Sequence, residues 1–185
     1  MRLIACYNIY NEAQYLEESL KSIRDKVDLI VVVDGAYKKF PHKIPWSTDG
    51  SLEIARRYTP YVIERDRAWE SEIAKRNAYL IGSVGDIYLV IDGHEIWSGD
   101  LTPPFGNYRI KWKLSDGWHE AFRMFKHKLG IHYQQFHYSI WIGNKCLDQD
   151  FPLYPHGYLI HKYPDYPKER QEARKKYYSL ESFDN

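Results

Sequence analysis

Cysteine is scarce. Only 2 occur, Cys6 and Cys146, too few to build a disulfide framework. A reducing cytoplasmic setting is therefore expected. An excess of charge of one sign is also missing. Lys and Arg number 26, Asp and Glu 25, and the formal net charge is +1. No broad field calls for nucleic acid or an acidic partner. Long hydrophobic runs are absent, and none approaches the ~20 residues that cross a bilayer. The chain opens on a strand-like run, Arg2 to Tyr7, without the long apolar region of a signal peptide. Work at a membrane is expected only from its inner face. Glycine is missing where dinucleotide folds need it: Tyr7-Asn8-Ile9-Tyr10 follows the first strand in place of a Gly-rich turn. That excludes nicotinamide dehydrogenases and sugar-nucleotide pyrophosphorylases, and no Gly-Lys-Ser loop for phosphate occurs.

Aromatic residues, by contrast, are plentiful: 16% of the chain, with 17 Tyr and 6 Trp. Their faces suit nucleobases and sugar rings as well as an ordinary core. The 185 residues suffice for one domain with a real core.

The first half alternates strand and helix. Leu3 to Tyr7 reads as a buried strand. Asn11 reads as the N-cap of a helix, with Gln14 three residues on and Leu16, Leu20 and Ile23 at helical spacing. Leu29 to Val33 is a β-branched strand ending in Asp34. Ser47-Thr48-Asp49-Gly50-Ser51 opens a second helix to Tyr58, Tyr61 to Glu64 forms a third strand, Glu70 to Ile81 a third helix, and Asp86 to Ile91 a fourth strand. This order predicts a mainly parallel sheet with helices on both faces, whose ligands bind at the carboxyl ends of the strands. After Pro103-Pro104 the pattern turns to strands: Tyr108 to Leu114, Ala121 to Phe125, Ile131 to Phe136, Tyr138 to Ile142 and Gly157 to His161. A charged helix from Lys168 to Leu180 ends the chain. Residues 1–97 read as a ligand-binding half, 98–165 as a second half of the same domain, and 166–185 as a tail helix.

The sharpest chemical feature is Asp92-Gly93-His94-Glu95, directly after an apolar strand. A carboxylate and a second ligand-capable side chain on a tight bend can hold a divalent ion against a diphosphate. A polar turn with no ligand is the plainer alternative.

Several stretches in order resemble the family 2 glycosyltransferases. Ala5-Cys6-Tyr7-Asn8 with Asn11-Glu12 is similar to the family's opening strand, and Val31-Val32-Val33-Asp34 to its second strand. Ser47-Thr48-Asp49-Gly50-Ser51 resembles its Ser-Thr-Asp-Gly-Ser signature. Trp69, Glu72 and Lys75-Arg76-Asn77 resemble the segment before its metal motif, and Asp92-Gly93-His94-Glu95 stands where Asp-Ala-Asp-Glu is common. Arg123-Met124-Phe125 and His137 resemble an Arg-Leu-Phe then Val-His-Glu pattern in one branch. The resemblance implies the GT-A fold, a three-layer α/β/α sandwich. It implies a hexosyltransferase-like enzyme that moves a sugar from a nucleotide-sugar, a UDP-sugar first, and inverts the anomeric carbon. The cofactor implied is Mn²⁺ or Mg²⁺.

The roles implied by the resemblance follow residue by residue. Tyr7 flanks the base, with Asn8 and Glu12 bordering the nucleotide. Asp34 accepts from the base or ribose, and Arg76 meets phosphate or base. Asp92 contacts metal or ribose, and His94 and the late His161 ligate the metal. For the base that deprotonates the acceptor, Glu120 stands first and Asp116 second, ahead of Asp148 and Asp150. Two departures stand out. Gly35 to Trp46 is an extra loop, and His94 replaces the second aspartate of the metal motif, favouring Mn²⁺ over Mg²⁺. This reading leaves the acceptor open among a carbohydrate, a lipid-linked and a protein hydroxyl, and a site completed by a homo-oligomer is compatible with it. Lys168, Arg170, Arg174, Lys175 and Lys176 of the tail helix are expected on a solvated face, with contact to anionic lipid as the second reading. The competing function is a nucleotide-sugar or carbohydrate-binding module without transferase activity.

Overall fold

The structure is a computed structural model. It describes residues 1–82, 84–134, 139–147, 151–162 and 166–181, with side chains to residue 176. His137, Asp148 and Asp150 lie outside the described residues.

β1 (Leu3–Ile9) is buried along its whole length. It takes parallel neighbours on both sides, β2 (Leu29–Asp34) and β4 (Ile87–Asp92), so that Asn8 sits level with Val33 and Asp92. A strand covered on both faces reads as a nearly continuous apolar run, and these three are apolar except at their carboxyl ends, where Asn8, Asp34 and Asp92 stand. β3 (Val62–Ile63) extends the sheet beyond β2.

α1 (Ala13–Ile23) buries Leu16, Leu20 and Ile23 on one stripe. Its start differs from the sequence expectation. Glu12, not Asn11, holds the N-cap position, with no capping bond from its own side chain. Asn11 instead takes a left-handed backbone (φ 51°), and its Oδ1 accepts from Thr48 N at 2.9 Å. The open N–H groups entering α1 are satisfied from outside. Ser47 Oγ accepts from Asn11 N (2.8 Å), Ser51 Oγ from Glu12 N (2.7 Å) and Asp49 Oδ2 from Ala13 N (2.9 Å). The Ser-Thr-Asp-Gly-Ser segment thus caps one helix from the doorstep of the next, α2 (Ser51–Tyr58).

α3 (Glu72–Ile81) begins two residues later than expected because Ser71 is its N-cap, accepting from Ala74 N at 3.1 Å. The second half adds β5 (Glu95–Gly99), β6 (Tyr108–Leu114), β7 (Gly117–Lys126) and β11 (Gly157–His161) to the same sheet. The eight-stranded order is β3-β2-β1-β4-β7-β6-β11-β5. The side from β3 to β4 is parallel. The β4–β7, β6–β7 and β11–β5 pairs are antiparallel and β11 runs parallel to β6, so the sheet is mixed, with β-α-β crossovers building only its β3-to-β4 side. A small sheet of β8 (Ile131–Tyr133), β9 (Ile140–Ile142) and β10 (Lys145–Cys146) lies beside α3. The layers are α1 with α2, the main sheet, and α3 with the small sheet; the expected third helical layer is therefore partly β. α4 (Lys168–Glu181) closes the chain.

The sheet curls until β5 returns to α1, where Ser22 Oγ accepts from Trp97 N at 2.9 Å and Ser19 Oγ donates to the Glu95 carbonyl. At this fold-back a charge pair is fully enclosed. Arg123 of β7 donates to Glu95 Oε2 at 2.5 Å, and the same oxygen accepts from Asp92 N at 2.7 Å. Removing one member strands the other in low dielectric. Arg123→Leu is expected to cost ~3–5 kcal/mol in urea unfolding, and Arg123→Leu with Glu95→Leu to recover most of it. A single substitution costing under ~1 kcal/mol would show that Glu95 is compensated from elsewhere.

Candidate functional site

The carboxyl ends of β1 and β4 and the start of α3 meet in one pocket. Its floor carries Asn8, Glu12, Arg76, Asp92 and His94, and α4 covers it with Arg170 and Arg174. The bend that aims Asp92 and His94 leaves little room for a side chain between them. A Cβ on Gly93 would stand 2.9 Å from Ile9 Cγ2 and 3.0 Å from Glu12 Cβ.

Charge is tightly ordered here. Arg76 Nε donates to Glu72 Oε1 (2.9 Å), and Arg76 Nη2 to Asp92 Oδ1 (3.0 Å), with all three side chains buried. Burial works to raise the Asp92 carboxyl, but Arg76, Arg123 and His94 outweigh it and hold it far below the carboxylate range. Lys75 Nζ donates to the Ile9 and Gly35 carbonyls, both at 2.5 Å, and burial pulls it down to about 8. It ties the ends of β1 and β2 together beneath the pocket.

His94 stands between two partners. Its Nδ1 lies 3.2 Å from Glu12 Oε2 and its Nε2 3.1 Å from His161 Nε2. Burial, then the neighbouring His94, push His161 down to about 2, so it is neutral. Glu95 Oε1 is buried without a hydrogen-bond partner among the described residues, 4.0 Å from His161 Nε2. Two imidazole nitrogens this close, beside an unsatisfied carboxylate oxygen, suit a transition ion in donor type. Among the described residues, however, no three His, Cys, Asp or Glu side chains are gathered as a metal shell.

The structure brings together Asn8, Glu12, Arg76, Asp92, His94 and His161. It separates the others. Tyr7 is fully buried, facing α1, with its hydroxyl against the Ser19 carbonyl at 3.3 Å. It packs among Leu16 and Leu20 of α1 and does not line the pocket. Asp34 is 1% exposed, and its carboxylate is taken by Ser47, whose N and Oγ donate to it at 2.9 and 2.5 Å. It anchors the extra loop and does not line the pocket. Glu120 and Asp116 sit on the β6–β7 hairpin outside the pocket, Glu120 paired with Arg109 and Asp116 with His119 at 3.2 Å.

Sequence reasoning named Lys75 within a motif without a role for it and missed the reach of α4. Arg170 and Arg174 were expected on a solvated face and instead turn inward to the pocket. Their four-residue spacing, with Tyr166 four before Arg170, is the signal that they share a face. The extra loop contributes Tyr37 and Phe40 to the pocket wall. Beyond Arg170 lies a second, open groove of about 690 Å³ bounded by Tyr10, Phe40, Ile44 and Ala173. Among the described residues no helix is long and apolar enough to cross a membrane.

No known protein-family profile and no curated protein matches this chain. Among solved structures it is similar to S. aureus TarS 1-349 in complex with UDP-GlcNAc, at 23% identity and TM-score 0.43, over 53% of this chain and 28% of that one. It is similar to glucosyl-3-phosphoglycerate synthase from Mycobacterium tuberculosis in complex with Mg²⁺ and UDP, at 21% identity and TM-score 0.41, over 51% and 34%. It is also similar to the mannosyltransferase PcManGT from Pyrobaculum calidifontis in complex with GDP-Man and Mn²⁺, at 24% identity and TM-score 0.42, over 60% and 34%. The chain spans about a third or less of the length of each. The likeness is partial.

His161 gives the site a pH signature. Its folded value of about 2 lies below the ordinary 6.5, so the unfolded chain takes up the proton first. Its contribution to stability is therefore whole above about 6.5 and is lost on acidification, at up to about 1.4 kcal/mol per pH unit. Denaturation between pH 7 and about 5 should show wild type losing stability more steeply than His161→Gln, by one proton's slope. Equal slopes would mean that His161 is protonated freely in the folded state.

Proposed function

We propose that this chain is a glycosyltransferase that moves a hexose from a nucleotide-sugar, a UDP-sugar first, to an acceptor hydroxyl. The observation that carries the reading is the convergence of Asp92, His94 and Arg76 at the carboxyl edge of the parallel strands. Ligands of open α/β sheets bind at that edge. The order of motifs along the chain supports the same reading, because the aspartate that ends β4 is the one that resembles a donor-binding residue.

Asp92, His94 and His161 are the proposed ligands of a divalent ion, Mn²⁺ before Mg²⁺, though they are not gathered into a shell among the described residues and would have to draw together around it; such an ion neutralises a departing diphosphate. Arg76 fixes the Asp92 carboxylate from behind, and Glu72 holds Arg76 in turn. Asn8 and Glu12 border the nucleotide. The neighbouring groove has the size for a sugar or a base, and its Tyr10 and Phe40 offer aromatic surface. Inversion needs a general base, and Glu120, then Asp116, remain its proposed sources on the exposed hairpin.

The absence of a complete metal shell among the described residues favours one second reading, a nucleotide-sugar-binding module without transfer. A thermal-shift panel of UDP, GDP, CDP, dTDP and ADP, each with and without Mn²⁺, tests the first. One nucleotide is expected to stabilise the fold in a Mn²⁺-dependent way, by about 3 kcal/mol at a hundredfold excess over Kd. Asp92→Ala should abolish that gain. No stabilisation by any member would sink the glycosyltransferase reading. Stabilisation without nucleotide release from any sugar donor would leave the binding module.

A further inference from the structure

α4 occupies the pocket instead of flanking it. Arg170 Nη2 donates to Glu12 Oε1 at 2.9 Å and to the Tyr10 carbonyl at 3.0 Å, and Nη1 donates to the Asn11 carbonyl. Tyr166, just before the helix, donates to Glu12 Oε2, and the Arg170 guanidinium lies over its ring at 4.1 Å. Glu12 is thus the point where α4 is fastened. The cavity left beneath is about 50 Å³, which admits a few waters and no nucleotide. Arg170 also borders the large outer groove, so it forms the wall between the two spaces. A ligand that reaches from the groove to Asp92 must displace it.

The other cations of the pocket are engaged in ways a ligand cannot easily undo. Arg76 neutralises two buried carboxylates, and Lys75 binds two carbonyls beneath the floor. Freeing either would leave buried polar groups uncompensated. Arg170 is different. Its side chain is 26% exposed, and when it leaves, Glu12 keeps His94 and Tyr166 as partners. Arg174, one turn further along, faces the same cavity and is near enough for its charge to act on Asp92 and His161. A guanidinium fork that binds a carboxylate binds phosphate oxygens equally well.

We infer that α4 is a strap latched on Glu12, and that Arg170, on release, joins Arg174 to clasp the diphosphate of the bound nucleotide. The nucleotide part rests on the glycosyltransferase reading; the diphosphate clasp does not need it. The helix would then supply positive charge from the opposite side of the pocket to Asp92 and His94, and close over the ligand that opened it.

The experiment is calorimetric titration of the full chain with inorganic pyrophosphate in the presence of a chelator, then with UDP and Mn²⁺. Pyrophosphate is expected to bind wild type, and Arg170→Gln and Arg174→Gln each to weaken it at least about tenfold. Arg170→Lys should recover part of the loss, because charge remains and the fork does not. Glu12→Gln should tighten pyrophosphate by loosening the latch, and this gain should vanish in the Arg170→Gln background, a coupling that a merely structural arginine would not show. Absence of pyrophosphate binding to wild type, or unchanged affinity in both glutamine variants, overturns the clasp. UDP binding that survives in those variants would overturn the clasp and leave the glycosyltransferase reading standing. Pyrophosphate lost in the variants, with no nucleotide bound better than pyrophosphate, would support the clasp and overturn the nucleotide.

Discussion

A guanidinium buried at the edge of a sheet has to be neutralised where it lies, and Arg76 is 2% exposed. Its partners, Glu72 one turn before it and Asp92 at the end of β4, fix α3 against the sheet at a single register. Arg123 and Glu95 repeat the device one bend later, where Glu95 also receives the Asp92 N–H. These pairs are weak sources of net stability, since each ion gives up hydration to be there. Their effect is specificity of arrangement: Asp92 is held ionised, immobile and aimed by groups on three different elements. A carboxylate so prepared can meet a cation or a ribose hydroxyl without reorganising first.

The same rim gathers groups of both signs. Glu12, Glu72 and Asp92 lie among Lys75, Arg76, Arg170 and Arg174, with His94 between them. A ligand carrying both a metal and a diphosphate would match that mixture, because the carboxylate and imidazoles face the ion while the guanidiniums face phosphate. The pocket is small because α4 fills it, and the extra loop from Gly35 to Trp46 builds the groove outside it. Positive φ at Gly35 (118°) starts that loop against Trp69, whose Nε1 donates to the Asp34 carbonyl at 2.8 Å. Asp34 is thus tied to the loop through Ser47 and to Trp69 through its carbonyl.

Much of the fold was legible because its signals are local. The β-branched run at Leu29 to Val33 and the stripe Leu16, Leu20, Ile23 each state a period, and the parallel core follows from their alternation. Boundaries slipped where a cap outside the segment decided them. Asn11 has the chemistry of an N-cap, yet Ser47, Asp49 and Ser51 satisfy the N–H groups from Asn11 to Ala13, a solution made by residues about 36 positions away. Asp92, His94, Arg76, Glu12 and His161 were legible as a group through motif order. Tyr7 lies under α1 and outside the pocket, a placement a motif could not give, because a motif fixes a position on a strand while burial depends on what packs against it.

By itself the sequence determined the alternation of strand and helix, the side of the sheet on which polar strand ends would cluster, and the acid-histidine bend after β4. Those features depend on residues within a turn or two of one another. Only the tertiary structure decided that β5 folds back onto α1, that His94 faces His161 across 67 positions, and that Arg170 reaches Glu12 across 158. The reason is physical: a charged helix reads as solvated until a buried carboxylate is found in front of it. The position of that carboxylate is set by the sheet, not by the helix.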